Sequence, residues 1–321
     1  MRYGFYLPTR GPLATRAAVL GLARAGEAAG FHSAMIADHV VFPTSSRSRY
    51  PYTVSGEHPS HGDALEQLSM LSFVAGATEV LRLVTSVLIL PYRNPVVTAK
   101  ALATADVLSG GRITVGVGVG WLEEEFKALG APGFAARGGV SDEYLEIMLK
   151  LWRESPAEHD GRFYRFGPIR CEPAPLQRPH PPIWVGGHSA AALRRTARFG
   201  DGWHPVGAIA AVPLPVEEMV AKLAVLKRLT DAAGRDFAAL TISYKAPLYD
   251  VAIAAPDGTR RPFSGSADEI ADDIAAFAAI GVHELIFDFR GDTLAESVGR
   301  LERFASTVMP LAAERHHQPP R

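Results

Sequence analysis

The stretch that decides the fold is residues 81–126, LRLVTSVLILPYRNPVVTAKALATADVLSGGRITVGVGVGWLEEEF. Residues 81–90 are a β-branched, leucine-rich run of the kind buried on both faces of a sheet. Residues 95–108 carry apolar side chains at helical spacing, opened by Asn94-Pro95 and stopped by Gly110-Gly111. Residues 113–119 are a second buried run, so strand, helix and strand make one right-handed βαβ unit. The second strand ends in Gly116, Gly118 and Gly120. Three missing Cβ atoms at a strand's C-terminal end let something flat lie against the backbone, which points to a cofactor.

Upstream, residues 3–8 (YGFYLP) read as a strand and 14–30 as an Ala/Leu-rich helix stopped by Gly30. Residues 34–37 are a buried strand ending in Asp38-His39. Residues 40–63 are too polar and too rich in Pro and Gly for regular structure, and too long for an ordinary connection, so they form an insertion folded over the active face. Residues 64–78 are helical. Downstream, 121–139 form a second excursion, followed by a helix at 139–152 and a proline-punctuated segment with a hairpin strand at 161–166. Strands at 183–187, 201–206, 240–245 and 284–289 then alternate with helices at 189–199, 216–234, 266–281 and 293–314.

Eight strands, each followed by a helix, predict a parallel sheet. Eight units in 321 residues fit a (β/α)₈ TIM barrel with insertions after strands 2 and 4 better than a doubly wound sheet. A single domain spans 1–314, and 315–321 form a disordered tail.

The composition narrows the function. Residues are 47% hydrophobic and the formal charge is -1, with 33 basic against 34 acidic side chains. Neither a nucleic-acid partner nor an anionic membrane surface is indicated. The one cysteine, Cys171, excludes an internal disulfide framework and suits a reducing compartment. The first 20 residues lack the layout of a signal peptide, and no apolar run reaches about 18 residues. A soluble, cytoplasmic protein is expected.

In such a barrel the chemistry gathers where strands end. Those ends are Asp38-His39, Thr85-Ser86-Val87, Gly118 to Trp121, Gly186-Gly187-His188-Ser189, Trp203-His204, Lys245 and Asp288-Phe289-Arg290. The set holds one candidate acid/base, His39, with glycines, hydroxyls and two tryptophans, but no metal-ligand cluster and no nucleophile elbow. It suits a planar cofactor that does the chemistry while the protein orients it. The turn at Gly186-Gly187-His188-Ser189 opens a helix, where free N–H groups, the dipole and a hydroxyl make an anion site. A tight βα turn explains the same glycines. Trp121 and Trp203 suit either the core or the wall of a ring site. His58, His61 and Asp63 lie in a polar, proline-containing loop and read as solvated rather than as metal ligands. Glu123-Glu124-Glu125 reads as a helix N-terminal turn. Tyr50, Tyr52, Phe126, Phe134 and Tyr249 suggest an aromatic substrate pocket.

Several segments together resemble the bacterial luciferase-like family: MIADH at 35–39, TSVLILPYRNP at 85–95, LSGGRITVGVGVGWLEEEF at 108–126, PPIWVGG at 181–187 and FGDGW at 199–203. The resemblance runs from about residue 3 to about residue 310 and is nearer to members that use the deazaflavin coenzyme F420. It implies a TIM barrel with the cofactor at its C-terminal face and a non-proline cis peptide at Ser86–Val87 against the ring. It implies phosphate contacts from Gly186, Gly187 and Ser189, with Asp38 toward the deazaflavin and His39 as proton donor or acceptor. The remaining cofactor contacts are expected from Thr85, Gly118, Gly120, Trp121, His188 and Trp203. Sugar-phosphate dehydrogenases of the family carry glutamate where this chain has Trp121, and a tryptophan where it has Val41-Phe42-Pro43.

The expected activity is hydride transfer between F420 and a small organic substrate. The alternatives are an FMN-dependent monooxygenase fed reduced flavin by a partner reductase, and a non-catalytic flavin-binding protein. Barrels of this family pair through helices 2 and 3, so a homodimer is expected.

Overall fold

A computed structural model of the chain describes residues 1–58, 63–247 and 260–316. Eight parallel strands close into a barrel: β1 (Arg2–Tyr6), β2 (Ser33–Ile36), β3 (Arg82–Thr85), β4 (Ile113–Gly118), β5 (Ile183–Gly186), β6 (Gly202–His204), β7 (Thr241–Ala246) and β8 (Glu284–Phe287). β1 pairs with β8 in the register Arg2↔Glu284, and Leu83↔Ile113 joins β3 to β4. The ring has no free edge.

Two sets of side chains explain why these runs fold as strands. Phe5, Leu83, Val115, Ile183, Ile242 and Leu285 point outward and are covered by the surrounding helices. Met35, Val84, Trp184 and Ile286 point inward and fill the barrel with a separate small core. Burial on both faces is what leaves the strands without polar alternation.

The helices are α1 (Arg16–Ala28), α2 (Gln67–Ala75), α3 (Pro95–Leu108), α4 (Glu123–Ala128), α5 (Arg137–Arg153), α6 (Ala190–Phe199), α7 (Val216–Ala232), α8 (Ala267–Ala279), α9 (Leu294–Arg303) and α10 (Met309–His316). Their starts follow cap chemistry. The Asn94 side chain accepts from Val96 N–H and Val97 N–H with Pro95 next to it, as the sequence predicts. The predicted start at 64 moves to Gln67, because the Glu66 carboxylate accepts from Ser69 N–H and caps α2.

Other expectations change too. β3 is shorter than residues 81–90: it stops before the cis peptide at Ser86–Val87, and Leu88–Ile89 then resumes pairing with Val117 and Gly118. The hairpin is Ala157–Asp160 with Arg165–Ile169, so most of the predicted strand at 161–166 is its turn. The last helix is interrupted at Phe304–Val308 by a π turn. Pro310 has no N–H and its ring crowds the carbonyl four residues back, which favours the wider turn there. Arg315, placed by sequence in the tail, lies in α10 and bonds Asp268 and Asp272 at 2.7 and 2.5 Å. No helix among the described residues is long and apolar enough to cross a membrane.

Candidate functional site

A cavity of ≈ 760 Å³ opens at the C-terminal ends of the strands. Its floor is the Ser86–Val87 segment, which carries the cis peptide implied by the family resemblance. The Val87 side chain is wedged between two glycines. A Cβ on Gly118 would stand 2.5 Å from one Val87 methyl, and a Cβ on Gly186 would stand 2.9 Å from the other. A Cβ on Gly116 would meet the Thr85 carbonyl at 2.0 Å, and one on Gly120 would meet Phe126 at 2.6 Å. The strand glycines therefore make room first for the protein's own bulge. Gly118 and Gly120 also line the cavity, whereas Gly116 does not.

Asp38 and His39 leave β2 side by side and take different partners. The Asp38 carboxylate accepts both arms of the Arg93 guanidinium at 2.8 and 2.8 Å and the Ile89 N–H at 2.9 Å. Its charge is neutralised, and it fastens the end of β2 to the segment after β3. His39 Nδ1 lies 2.8 Å from Glu125 Oε2. Glu125 is fully buried and also accepts from Val40 N–H at 2.7 Å, Val41 N–H at 3.2 Å and the Tyr92 hydroxyl at 2.9 Å. Burial opposes its ionisation, but the hydrogen bonds led by that from His39 outweigh this and hold its carboxyl below the usual range. An ionised carboxylate only accepts, so Nδ1 of His39 carries a proton. Nε2 has no protein partner among the described residues, and His39 lines the cavity. One ring nitrogen is fixed and the other is available for chemistry.

Under the floor runs a chain of polar groups. Tyr6 Oη lies 3.3 Å from Ser86 Oγ, and Ser86 Oγ lies 3.1 Å from His204 Nε2. His204 Nδ1 meets the Ser243 hydroxyl. Burial, with the charge of Lys245 nearby, holds the His204 pKa well below its ordinary value, so the ring is neutral.

At the other end of the cavity, Gly187 takes a φ of +88°, and the Ser189 hydroxyl caps α6 by accepting from Ala192 N–H at 3.2 Å. The first N–H groups of this helix have no intrahelical acceptor. Arg137 and Arg195 line the same end. Arg195 is engaged with Asp142 at 2.5 Å, whereas Arg137 Nε is buried without a partner among the described residues. A flat wall over Val87 and a cationic helix start at one end fit a planar ring with an anionic tail.

The insertion after β2 covers the mouth, as predicted. Tyr50 packs on Trp121 at 5.0 Å, and His58 stacks on Trp121 at 5.5 Å. Phe42 lies 4.4 Å from the His39 ring. His58, expected to be solvated, is half-buried and also lies 3.1 Å from Arg10 Nη1. Burial first, then Arg10 and His39, bring its pKa down to about 3, so a neutral ring backs Trp121 of the cavity wall. Among the described residues no group of three His, Cys, Asp or Glu is arranged to hold a metal.

Of the residues singled out by sequence, Asp38, His39, Ser86, Val87, Gly118, Gly120, Trp121, Gly186, Gly187 and Ser189 line the cavity. Thr85, His188 and Trp203 do not. Thr85 is buried and donates to the Gly116 carbonyl at 2.8 Å, holding β3 against β4. His188 interacts with Lys222 and Glu218 of α7. Trp203 is fully buried and pins the glycine turn through its Nε1–H to the Gly187 carbonyl at 2.7 Å. Phe126 belongs to a small core with Tyr92 rather than to the cavity. Tyr249 and His61 lie outside the described residues.

Sequence reasoning missed the parts that Glu125, Arg93 and Arg137 play in the site. Glu125 was visible only as the third residue of an acidic run, and its partner lies 86 positions away.

The closed barrel with its cavity at the C-terminal mouth places the chain among TIM-barrel proteins. Residues 1–255 match the family described as luciferase-like monooxygenase, and the chain belongs to that family. An uncharacterised protein of Mycobacterium tuberculosis is 33% identical over 311 residues, covering 96% of this chain and 99% of the relative. An FMNH₂-dependent dimethylsulfone monooxygenase of Pseudomonas putida is 29% identical, over 78% of this chain and 79% of the relative. The structure of an F420-dependent secondary alcohol dehydrogenase superposes with a TM-score of 0.76 at 16% identity, over 97% and 98% of the two chains.

Proposed function

We propose that this protein is an F420-dependent oxidoreductase in which His39 moves the proton that accompanies hydride transfer. The observation that carries the reading is the His39–Glu125 pair at 2.8 Å, which fixes one ring nitrogen and leaves the other at the cavity. When bound, a deazaflavin supplies a ring carbon that exchanges a hydride with the organic substrate. The chain's own groups do the rest. Val87 backs the ring, Ser189 and the first turn of α6 take the phosphate, and Arg137 adds a cation there. Glu125 keeps the Nδ1 proton in place, so Nε2 gives up or accepts the substrate's proton. The aromatic cover formed by Phe42, Tyr50, His58 and Trp121 keeps bulk water from the reacting atoms.

The second reading, an FMN-dependent monooxygenase supplied by a reductase, is favoured by the dimethylsulfone monooxygenase relative. Binding of oxidised F420 and of FMN to the purified chain, followed side by side by fluorescence, separates the two. Tight binding of F420 alone supports the first reading. Preference for FMN, with substrate-dependent oxygen uptake in the presence of FMNH₂, supports the second. Binding of neither overturns both.

A further inference from the structure

Lys245 stands at the end of β7 with no assigned role. Alternation along the strand sends Ser243 and Lys245 inward, while Ile242, Tyr244 and Ala246 join the outer core. Lys245 is 4% exposed, lines the cavity, and its ammonium makes no hydrogen bond or ion pair among the described residues. Among the described residues, the charged and titratable groups around it are already committed. On β6, His204 is neutral and spends both ring nitrogens on Ser86 and Ser243. Beyond β8, Asp288 accepts from Arg290 Nε at 2.8 and 2.9 Å, so that pair is self-contained. On β1, the Tyr6 hydroxyl is shared with Ser86 and is pushed away from ionisation by burial. Val206, bridged to Lys245, and Ile209 add apolar lining to the same cavity.

A buried ammonium without a partner is costly, and natural interiors pair such groups or neutralise them. Here the unfilled position faces the cavity, opposite the Val87 floor and away from the anion site at Ser189. We propose that Lys245 binds the carboxylate of the substrate, so that this enzyme acts on small organic acids whose apolar body lies between Val206 and the Tyr50–Trp121 wall. The inference rests on the reading of this cavity as a substrate and cofactor chamber.

With no partner among the described residues, burial brings the Lys245 pKa down to about 7. A bound carboxylate favours the charged form. Above that pKa, binding must therefore draw a proton from solution. The test is calorimetric titration of the cofactor-free chain with acetate, benzoate and hexanoate at about pH 8, in two buffers of different ionisation enthalpy. The expected result is binding of at least one of them with uptake approaching one proton, and no uptake about two pH units lower, where the lysine is already charged. Lys245→Met should weaken binding at least about tenfold and abolish the uptake. Lys245→Arg, permanently charged, should bind without uptake.

Three results overturn the proposal: no carboxylate binds, binding is unchanged in Lys245→Met, or proton uptake survives in that variant. A Lys245→Met protein that loses cofactor affinity but keeps carboxylate binding assigns the lysine to the cofactor instead, which also overturns it. Because the titration contains no cofactor, failure of both F420 and FMN to bind would leave its outcome readable.

Discussion

Glu125 accepts four hydrogen bonds from His39, Val40, Val41 and Tyr92 while fully buried. A glutamine there keeps the volume but offers one acceptor oxygen, and its amide nitrogen would face at least one donor. Glu125→Gln should therefore leave His39 free to rotate and exchange its ring proton. Turnover is expected to fall by roughly 10²-fold, the scale of one positioned acid/base, with cofactor affinity within about threefold. Steady-state kinetics and a pH profile check this. An equal loss of cofactor binding would reduce Glu125 to a structural prop. Gly118 makes a second residue-scale prediction. A Cβ there stands 2.5 Å from a branched side chain that Gly186 confines from the other side. Gly118→Ala should push Val87 into the cavity and cost about 1–3 kcal/mol of stability. Cofactor affinity should drop by more than the Tm shift explains, as fluorescence titration and thermal melts of the same sample would show.

At the scale of elements, the insertion after β2 is held by a clasp. The Glu124 carboxylate accepts from Arg47 N–H at 2.7 Å, Ser48 N–H at 3.3 Å, the Ser48 hydroxyl at 2.7 Å and the Ser46 hydroxyl at 3.1 Å. Burial slightly opposes ionisation, but these bonds, Ser48 first, pull its pKa down to about 2. A carboxyl lowered in the closed state helps closure above its free value near 4.5 and loses that help as pH falls toward 2. Glu124→Ala at neutral pH should expose Arg47 and Arg49 to trypsin several-fold faster, raise KM, and leave the melting temperature nearly unchanged, since loop opening is local. Unchanged cleavage would show that aromatic packing alone closes the cover. The clasp also shows where sequence reading stops. The strands, most helices and the Asp38-His39, Ser86-Val87 and Gly186-Gly187 ends were legible because each is a local pattern: a buried run, a period, a cap, a turn. The partners were not. Glu125 to His39, Arg93 to Asp38 and Trp203 to Gly187 are long-range choices made by barrel closure, and a helix-start signal hid two clasps in one acidic run. His58 misled because a polar loop says nothing of the surface it folds against.

For the whole molecule, the question is what covers the apolar outside of the barrel's second and third helices. α3 is apolar nearly all round, and a helix of that kind is normally buried on every side. Here Val97 and Leu108 of α3 remain 66% and 73% exposed, Phe73 of α2 is 43% exposed, and Val80 after α2 is 74% exposed. Not every helix carries such a face. α9 sets Ser297 and Leu301 inward and ends in Arg300 and Arg303, an ordinary solvent-facing pattern. A cluster of exposed apolar side chains on neighbouring helices is the mark of an interface, and a twofold dimer lets one such surface cover its own copy. The expected state in solution is therefore a homodimer, seen as a mass of two chains by light scattering across dilution. Val97→Glu with Leu108→Glu places two charges per chain at the centre of that face and should yield monomers, because uncompensated charge buried in an interface costs more than the contacts return. His39 and Glu125 lie at the barrel mouth rather than on this face, so cofactor binding by the monomeric variant should persist. A wild-type chain that stays monomeric at high concentration, or a double variant that stays dimeric, would show that this apolar surface is not where two copies meet.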